Sequence, residues 1–552
     1  MKKYIISAIS LFLVFTSCEV DEGLNIDTKN PTTVPASGLF TNGTRNMFDL
    51  MNSTSVNNNV FRLYAQYFAQ TTYPDESQYN QVTRDIGGSI WNTMYRDVLQ
   101  DLKGAKELAA KEAEGDPVAS QHLPAKLAQI DFIQVYAYSV LVDTFGNVPY
   151  TEALDTNNPT PVYDDAATIY TDLLTRLDNV ISNINTGNGF EATQDPIYQG
   201  DMSKWLKAAV SLKLRLAMRL ADSNPTLSQQ KAEEAASASL ILTNADNFGI
   251  KYLSAAPNTN PLWTDLVQSG RTDYIAANTL VDAMNPIKDP RRYGYYAEDM
   301  TYVLGTVASV IPPVSPSTTT QIIFDSNLAN TPVDMDSKVY MEDTFIGVVS
   351  SSTSNSISID NISSTPSVGD VLHFSKFLGG TYGSANSPTG GSAISDLMKT
   401  PDLPGNILTA AEVNFLLAEA AARNYTVSNT IEDYYNEGIT QSILEWQGSA
   451  TDATTYLAQP SVAYSTAAGD WKQKIATQKW IAMYNNGFEG WTTWRIFDAP
   501  TLNAPTGMSL SDIPTRFTYP VVQAQLNNEN NAAAGAAIGG NFKTTKLFWD
   551  LN

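Results

Sequence analysis

The limits of this chain are set first by what it has little of. It carries one cysteine and two histidines in 552 residues. A lone cysteine excludes an internal disulfide. His122 and His373 stand far apart in sequence and leave little room for histidine-based metal chemistry. Past the N-terminus there is no apolar run of about 18 residues, the length that would mark a membrane-spanning helix. Cations are scarce: 34 Lys and Arg face 57 Asp and Glu, for a formal net charge of −23. Affinity for nucleic acid comes largely from Lys and Arg neutralising phosphates, so this balance argues against such a partner. HExxH, GxSxG, GxGxxG and P-loop patterns are absent, and no cofactor is expected. Asp334-Met335-Asp336 lacks the Gly and distal Glu of a calcium loop and reads as turn chemistry.

What is present begins at the N-terminus. Lys2 and Lys3 precede the apolar run Tyr4 to Phe15, then small Thr16 and Ser17, then Cys18. A positive start, a short apolar stretch and a small-residue site form a secretion signal. A cysteine directly after the small residues is what lipoprotein signal peptidase requires, so Cys18 is the expected lipidation site. Phe15 departs from the Leu common at its position. Acyl chains on the mature N-terminus would anchor it stably. The acidic residues Glu19-Val20-Asp21-Glu22 follow, in keeping with a solvated tether or a surface-export mark.

Segment by segment, the chain divides into a signal peptide over 1–17, a lipidated tether over 18–44, a helical domain over 45–300, an inserted β module over 301–379 and a second helical part over 380–552. Helices are expected at about 89–113, 123–142, 164–184, 202–222, 227–243, 410–424, 430–446 and 470–486. The 123–142 segment carries two apolar stripes, one with Leu123, Leu127 and Ile130, the other with Ala125, Ala128 and Phe132, so it buries two faces, as inside a stack of helical hairpins. In 301–379 the helical period vanishes. Alternation such as Ser356-Ile357-Ser358-Ile359, with turns at Asp360-Asn361 and Gly369-Asp370, reads as several short strands.

Five segments together carry a resemblance. They are Asp143-Thr144-Phe145-Gly146-Asn147-Val148-Pro149-Tyr150; Trp205-Leu206-Lys207 through Arg219; Glu412-Val413-Asn414-Phe415-Leu416-Leu417-Ala418-Glu419; Gln478-Lys479-Trp480 through Trp491, Trp494 and Arg495; and Ile513-Pro514-Thr515-Arg516 with Tyr519-Pro520. In this order, behind a lipoprotein signal, they resemble the SusD/RagB family of nutrient-binding outer-membrane lipoproteins, with Gln523 standing where that family often has Glu. The resemblance implies a mainly α fold: a SusD-like scaffold of tetratricopeptide-like helix pairs with a loop-rich binding face. It also implies a lid on a SusC-like, TonB-dependent transporter at the outer membrane, capturing an oligosaccharide or a peptide. An enzyme is not expected. A glycan-active hydrolase and a surface adhesion subunit are the competing classes.

Ligand contacts are expected in loops, because a rigid scaffold presents its variable loops. Three segments concentrate aromatics with planar polar groups. The first holds Tyr73, Asp75, Gln78 and Tyr79 and leads to Trp91. The second holds Trp263, Arg271 and Asp273. The third holds Tyr296, rejoined across the insert by Tyr382. Aromatic faces stack on apolar sugar faces, while Asp, Gln and Arg hydrogen-bond hydroxyls in forks; the same rings can equally anchor loops to the scaffold. Lys207, Lys213, Arg215 and Arg219 on one segment suggest surface ion pairs, and Arg495 is expected to pair with a carboxylate beside packed Trp480 and Trp491.

Overall fold

The computed structural model describes residues 34–185, 187–326, 328, 337–342 and 344–551. The signal peptide, Cys18, the acidic tether start and Asp334-Met335-Asp336 lie outside the described residues. Helices dominate and pack in neighbouring pairs: Pro117–Phe145 against Ala166–Asn183, Met202–Arg219 against Pro225–Ala236, Ala410–Ala422 against Ile431–Glu445, and Trp471–Ala482 against Gly487–Phe497. The first helix, Ala36–Asn52, begins inside the stretch expected to be tether and packs on Gln100–Ala113. It does so because Phe40, Met47, Phe48 and Met51 recur at helical spacing and are buried. Among the described residues no helix is long and apolar enough to cross a membrane.

Local chemistry explains the boundaries. Helix Pro117–Phe145 starts two turns earlier than the apolar stripes suggest: Asp116 caps it by accepting from the Val118 and Ala119 N–H groups, and Pro117 fits its first turn. Its second half is buried on both faces, as the double stripe requires. Gly146, at φ +87°, ends it. The expected helix at 89–113 is one continuous rod with three textures: Ile86–Asn92 is α, Thr93–Leu99 is π and Gln100–Ala113 is α again.

Two short ribbons are set among the helices. β1 (Phe68–Gln70) will matter most; β2 is Phe248–Ile250, and β3 (Tyr274–Ala276) pairs antiparallel with β1. Next comes the inserted module. Its strands are β4 (Asp299–Ile311), β5 (Thr319–Phe324), β6 (Lys338–Met341), β7 (Thr344–Ser352), β8 (Ser356–Asp360) and β9 (Val371–Lys376). They close into a barrel in the order β4-β5-β8-β7-β6-β9, each neighbour antiparallel. β10 (Gly405–Leu408) then pairs with β2. The barrel has its own core of Val307, Ile322, Val339, Ile346, Ile357, Ile359 and Leu372, separate from the main core. Closure removes the exposed edges that a free sheet would leave.

The cationic helix Met202–Arg219 corrects the sequence expectation. Lys207 does pair near the surface, with Asp246 at 2.7 Å. Arg215 and Arg219 are instead buried. Arg215 forks onto both carboxylate oxygens of Glu412 at 2.6 Å, and Arg219 meets Glu489 at 2.9 Å and Asp143 at 3.2 Å. Arg495 is also buried but donates to the backbone carbonyls of Asp143 and Thr515 rather than to a carboxylate, with its guanidinium carbon 3.6 Å from the Trp491 ring centre. Burial pushes the Arg495 guanidinium down to about 9.

Candidate functional site

The two loops that matter leave the same end of the β1–β3 ribbon. Gln70 pairs with Tyr274, and one step further the Thr71 N–H donates to the Asp273 carbonyl at 3.0 Å, while the Thr71 hydroxyl bonds the Thr272 carbonyl. Residues just after β1 and just before β3 are therefore clamped side by side. This brings Tyr73 from the first expected segment next to Arg271 and Asp273 from the second.

The 71–85 loop is held from inside. The Gln70 side chain donates to the Tyr73 carbonyl at 3.1 Å and to Glu76 at 2.8 Å, and accepts from the Ser77 N–H at 3.0 Å. Glu76 in turn pairs with Arg84. The result is a fixed loop whose one outward aromatic ring is Tyr73, 66% exposed and held at φ +52°. An L-residue with a bulky side chain seldom adopts that conformation, and such residues cluster at ligand sites.

Tyr73, Arg84, Arg271, Asp273, Tyr274 and Asn57 line one open depression of about 320 Å³. That lies at the small end of the range for ligand sites. Arg271 forks onto Asp273, its Nε donating to the two carboxylate oxygens at 3.0 and 2.7 Å. Tyr274 forms the floor: it is buried, its hydroxyl donates to the Thr54 carbonyl at 2.6 Å, and burial raises its pKa. The surface therefore offers one aromatic face, a guanidinium–carboxylate fork, a second guanidinium and an amide. It can stack on a flat apolar face and exchange hydrogen bonds with hydroxyls or amides around it.

Other expected residues are placed elsewhere. Asp75 and Gln78 are exposed on the same loop, and the Gln78 amide donates to the Gly383 carbonyl at 2.9 Å. Trp263 is half-buried in the turn Pro261–Trp263 and lines neither this depression nor the one beside it. Four residues are core anchors rather than surface rings. Tyr79 packs edge-on to Tyr64, and Tyr382 lies 6.3 Å from Tyr79. Trp91 sits among Tyr95, Phe145, Tyr163 and Tyr519, and Tyr296 packs edge-on to Tyr484. All four are at most 5% exposed, so no ring face is open to a ligand. The arrangement also contains residues the sequence did not single out: Arg84 and Asn57 come from a helix approach and an Asn-rich turn, with no local signal that they converge, whereas Tyr274 is the strand start that ends the second expected segment.

A larger cavity of about 520 Å³ lies between Gly487–Phe497 and the C-terminal segment, lined by Trp494, Leu502, Ile513, Lys546 and Asp550 among others. Its Arg495 is already committed to carbonyls and to Trp491. None of the expected loop residues reaches it. Among the described residues no group of three or more His, Cys, Asp or Glu is placed to hold a metal ion.

Comparison with known proteins places this architecture. No curated protein matches the chain. Among solved structures, a chitin-binding protein is 23% identical at a TM-score of 0.70, over 94% of this chain and 100% of that one. A SusD-like protein from Bacteroides thetaiotaomicron is 21% identical at 0.67, over 94% and 99%. A chitin-binding SusD homologue from Flavobacterium johnsoniae is 21% identical at 0.66, over 94% and 99%. These likenesses establish the helical SusD-like fold. In sequence, residues 28–311 and 355–520 match the SusD-like family described as "Starch-binding associating with outer membrane"; the unmatched stretch between them falls inside the barrel. With most of the chain matched and the fold shared end to end, this protein belongs to the SusD-like family.

Proposed function

We propose that this protein is a lipid-anchored glycan receptor of the outer membrane, which captures an oligosaccharide at the depression between Tyr73 and Arg271 and passes it to a SusC-like, TonB-dependent transporter. The observation that carries the reading is Tyr73: an aromatic ring 66% exposed, on an internally braced loop, directly beside the Arg271–Asp273 fork. Carbohydrates present apolar C–H faces and rings of hydroxyls, and this pairing of a ring with forked polar groups meets both. The family description, starch-binding and outer-membrane associated, agrees with a glycan ligand and a membrane location. The anchor is Cys18, whose thiol takes a diacylglycerol before cleavage behind Ser17.

Isothermal titration of the soluble mature chain with starch-type, chitin-type and peptide panels tests the ligand class. We expect binding to at least one glycan series, and Tyr73→Ala to weaken it about tenfold, or about 1.4 kcal/mol. Undiminished affinity in that variant would remove the depression as the site, and binding to peptides alone would replace the glycan reading. Capture is non-catalytic in this reading, so prolonged incubation should release no shorter sugars. Solubilisation of native membranes should co-purify a large β-barrel protein with this chain, and conversion of Cys18 to Ser should release the protein from the membrane fraction.

A further inference from the structure

A second depression adjoins the first. It has a volume of about 460 Å³ and is lined by, among others, Arg45, Asp49, Asn58, Asp97, Thr259 and Thr264. The two share Ser55 and Asp265 in their linings, so they meet along that wall. The wall is built rather than incidental. One carboxylate oxygen of Asp265 accepts from the Ser53 hydroxyl at 3.0 Å and from the Thr54 N–H at 2.8 Å, pinning the end of helix Ala36–Asn52 to the turn after Trp263.

The two hollows differ in chemistry. The first has the stacking ring. The second has no aromatic side chain in its lining and is predominantly polar, with planar amides, carboxylates and a guanidinium set among hydroxyls. Its groups are pre-oriented. The Arg45 side chain donates to the Pro257 carbonyl at 2.6 Å and to Asp49 at 3.2 Å, and Asp49 also accepts from the Tyr252 hydroxyl at 2.8 Å. Asn58 is exposed in the lining, and its amide oxygen accepts from the Ser89 hydroxyl at 3.0 Å. Preorganised groups of this kind bind a polyhydroxylated segment with little ordering cost.

On the reading of the first depression as a glycan site, we propose that the site is double. The ligand is an oligomer long enough to cross the Ser55–Asp265 wall, one sugar stacked on Tyr73 and further sugars read by hydrogen bonds in the polar hollow. The chemical class is a neutral, linear, hydroxyl-rich oligosaccharide, not a mono- or disaccharide.

The test is a length series. The soluble mature protein is titrated with chitin-type and starch-type oligomers from disaccharide to hexasaccharide, together with N58A, D97N and Y73A variants whose melting is checked first. The double site predicts that affinity climbs about tenfold or more between disaccharide and hexasaccharide. It predicts that Asn58→Ala and Asp97→Asn erase most of that gain, dropping the hexasaccharide towards the disaccharide value, while Tyr73→Ala lowers affinity at every length. Flat affinity across lengths, or a length gain untouched by both polar variants, overturns the double site while leaving the Tyr73 site standing. No binding of any oligomer overturns the glycan reading itself, and no effect of Tyr73→Ala removes the Tyr73 depression as the site; the double site falls with either.

Discussion

Tyr73 makes a sharper claim than "an aromatic is needed". The side chain is 66% exposed, and on the proposed function its ring rather than its phenol is the sugar contact. Tyr73→Phe should keep oligosaccharide affinity within about threefold while Tyr73→Ala loses it, read by titration; equal losses would assign the contact to the hydroxyl. Trp91→Ala belongs to the other class. Truncating a ring packed among Tyr95, Phe145 and Tyr163 should cost about 3–5 kcal/mol in urea unfolding, whatever ligand is present. Glu445 gives a pH-dependent case. Burial pushes its carboxyl up to about 7, and it accepts from the Asn406 amide at 2.9 Å. A carboxyl raised in the fold contributes its stability below the ordinary carboxylate range and loses it as pH climbs through about 7. Glu445→Gln, neutral at every pH, should therefore melt higher than the parent at about pH 8, with the advantage vanishing towards about pH 4. A constant difference across pH would mean that the residue acts by packing. Tyr73, Arg271 and Asp273 stand out in the sequence as loop residues rich in rings and forked polar groups, and the structure places all three around one depression. Tyr79, Trp91, Tyr296 and Tyr382, expected as ligand contacts, are buried anchors instead: a ring that anchors a loop has the same local signature as one that serves it, and only long-range packing separates them.

At the level of elements, helices were readable and their ends less so. Periodicity marks where a helix must bury a face, but caps such as Asp116-Pro117 extend it past the apolar stripe, and the start of Ala36–Asn52 was hidden under a polar-looking tether. The barrel was visible as alternation, and its closure was not, because strand pairing such as Thr319↔Asp360 is non-local. Closure has a testable consequence. The two ends of the insert pair with each other, Asp299 opposite Lys376, and the barrel core is separate from the main one. Joining Ala297 to Phe377 by a short Gly-Ser linker should leave a folded helical scaffold with unchanged far-ultraviolet helicity and retained glycan affinity. Collapse of the melting transition would show that the barrel is part of the scaffold's stability, and loss of affinity alone would give it a role in binding.

Across the whole molecule, the buried charges tie distant parts of the chain together. Arg215 grips Glu412, 197 residues away, and Arg219 grips Glu489, 270 residues away. Seen in sequence these arginines look like ordinary surface cations, because their partners lie far outside any local window. Removing Glu489 leaves the buried Arg219 with Asp143 as its carboxylate partner, at a cost of up to about 3–5 kcal/mol. Glu489→Ala should lower the urea midpoint accordingly and do so in one transition for the whole helical scaffold; two separated transitions would show that its halves unfold independently. The short ribbon of β1 and β3 has a different consequence, one for descent and for engineering. Its six residues are all buried, and they fix the footing of both loops of the proposed site at once. Neither loop is a free-standing unit of inheritance: a lengthened 71–85 segment meets a neighbour whose position is already dictated. Specificity in this lineage should change through paired replacement of the two, and a graft of either loop alone into a relative should fail where the matched pair succeeds.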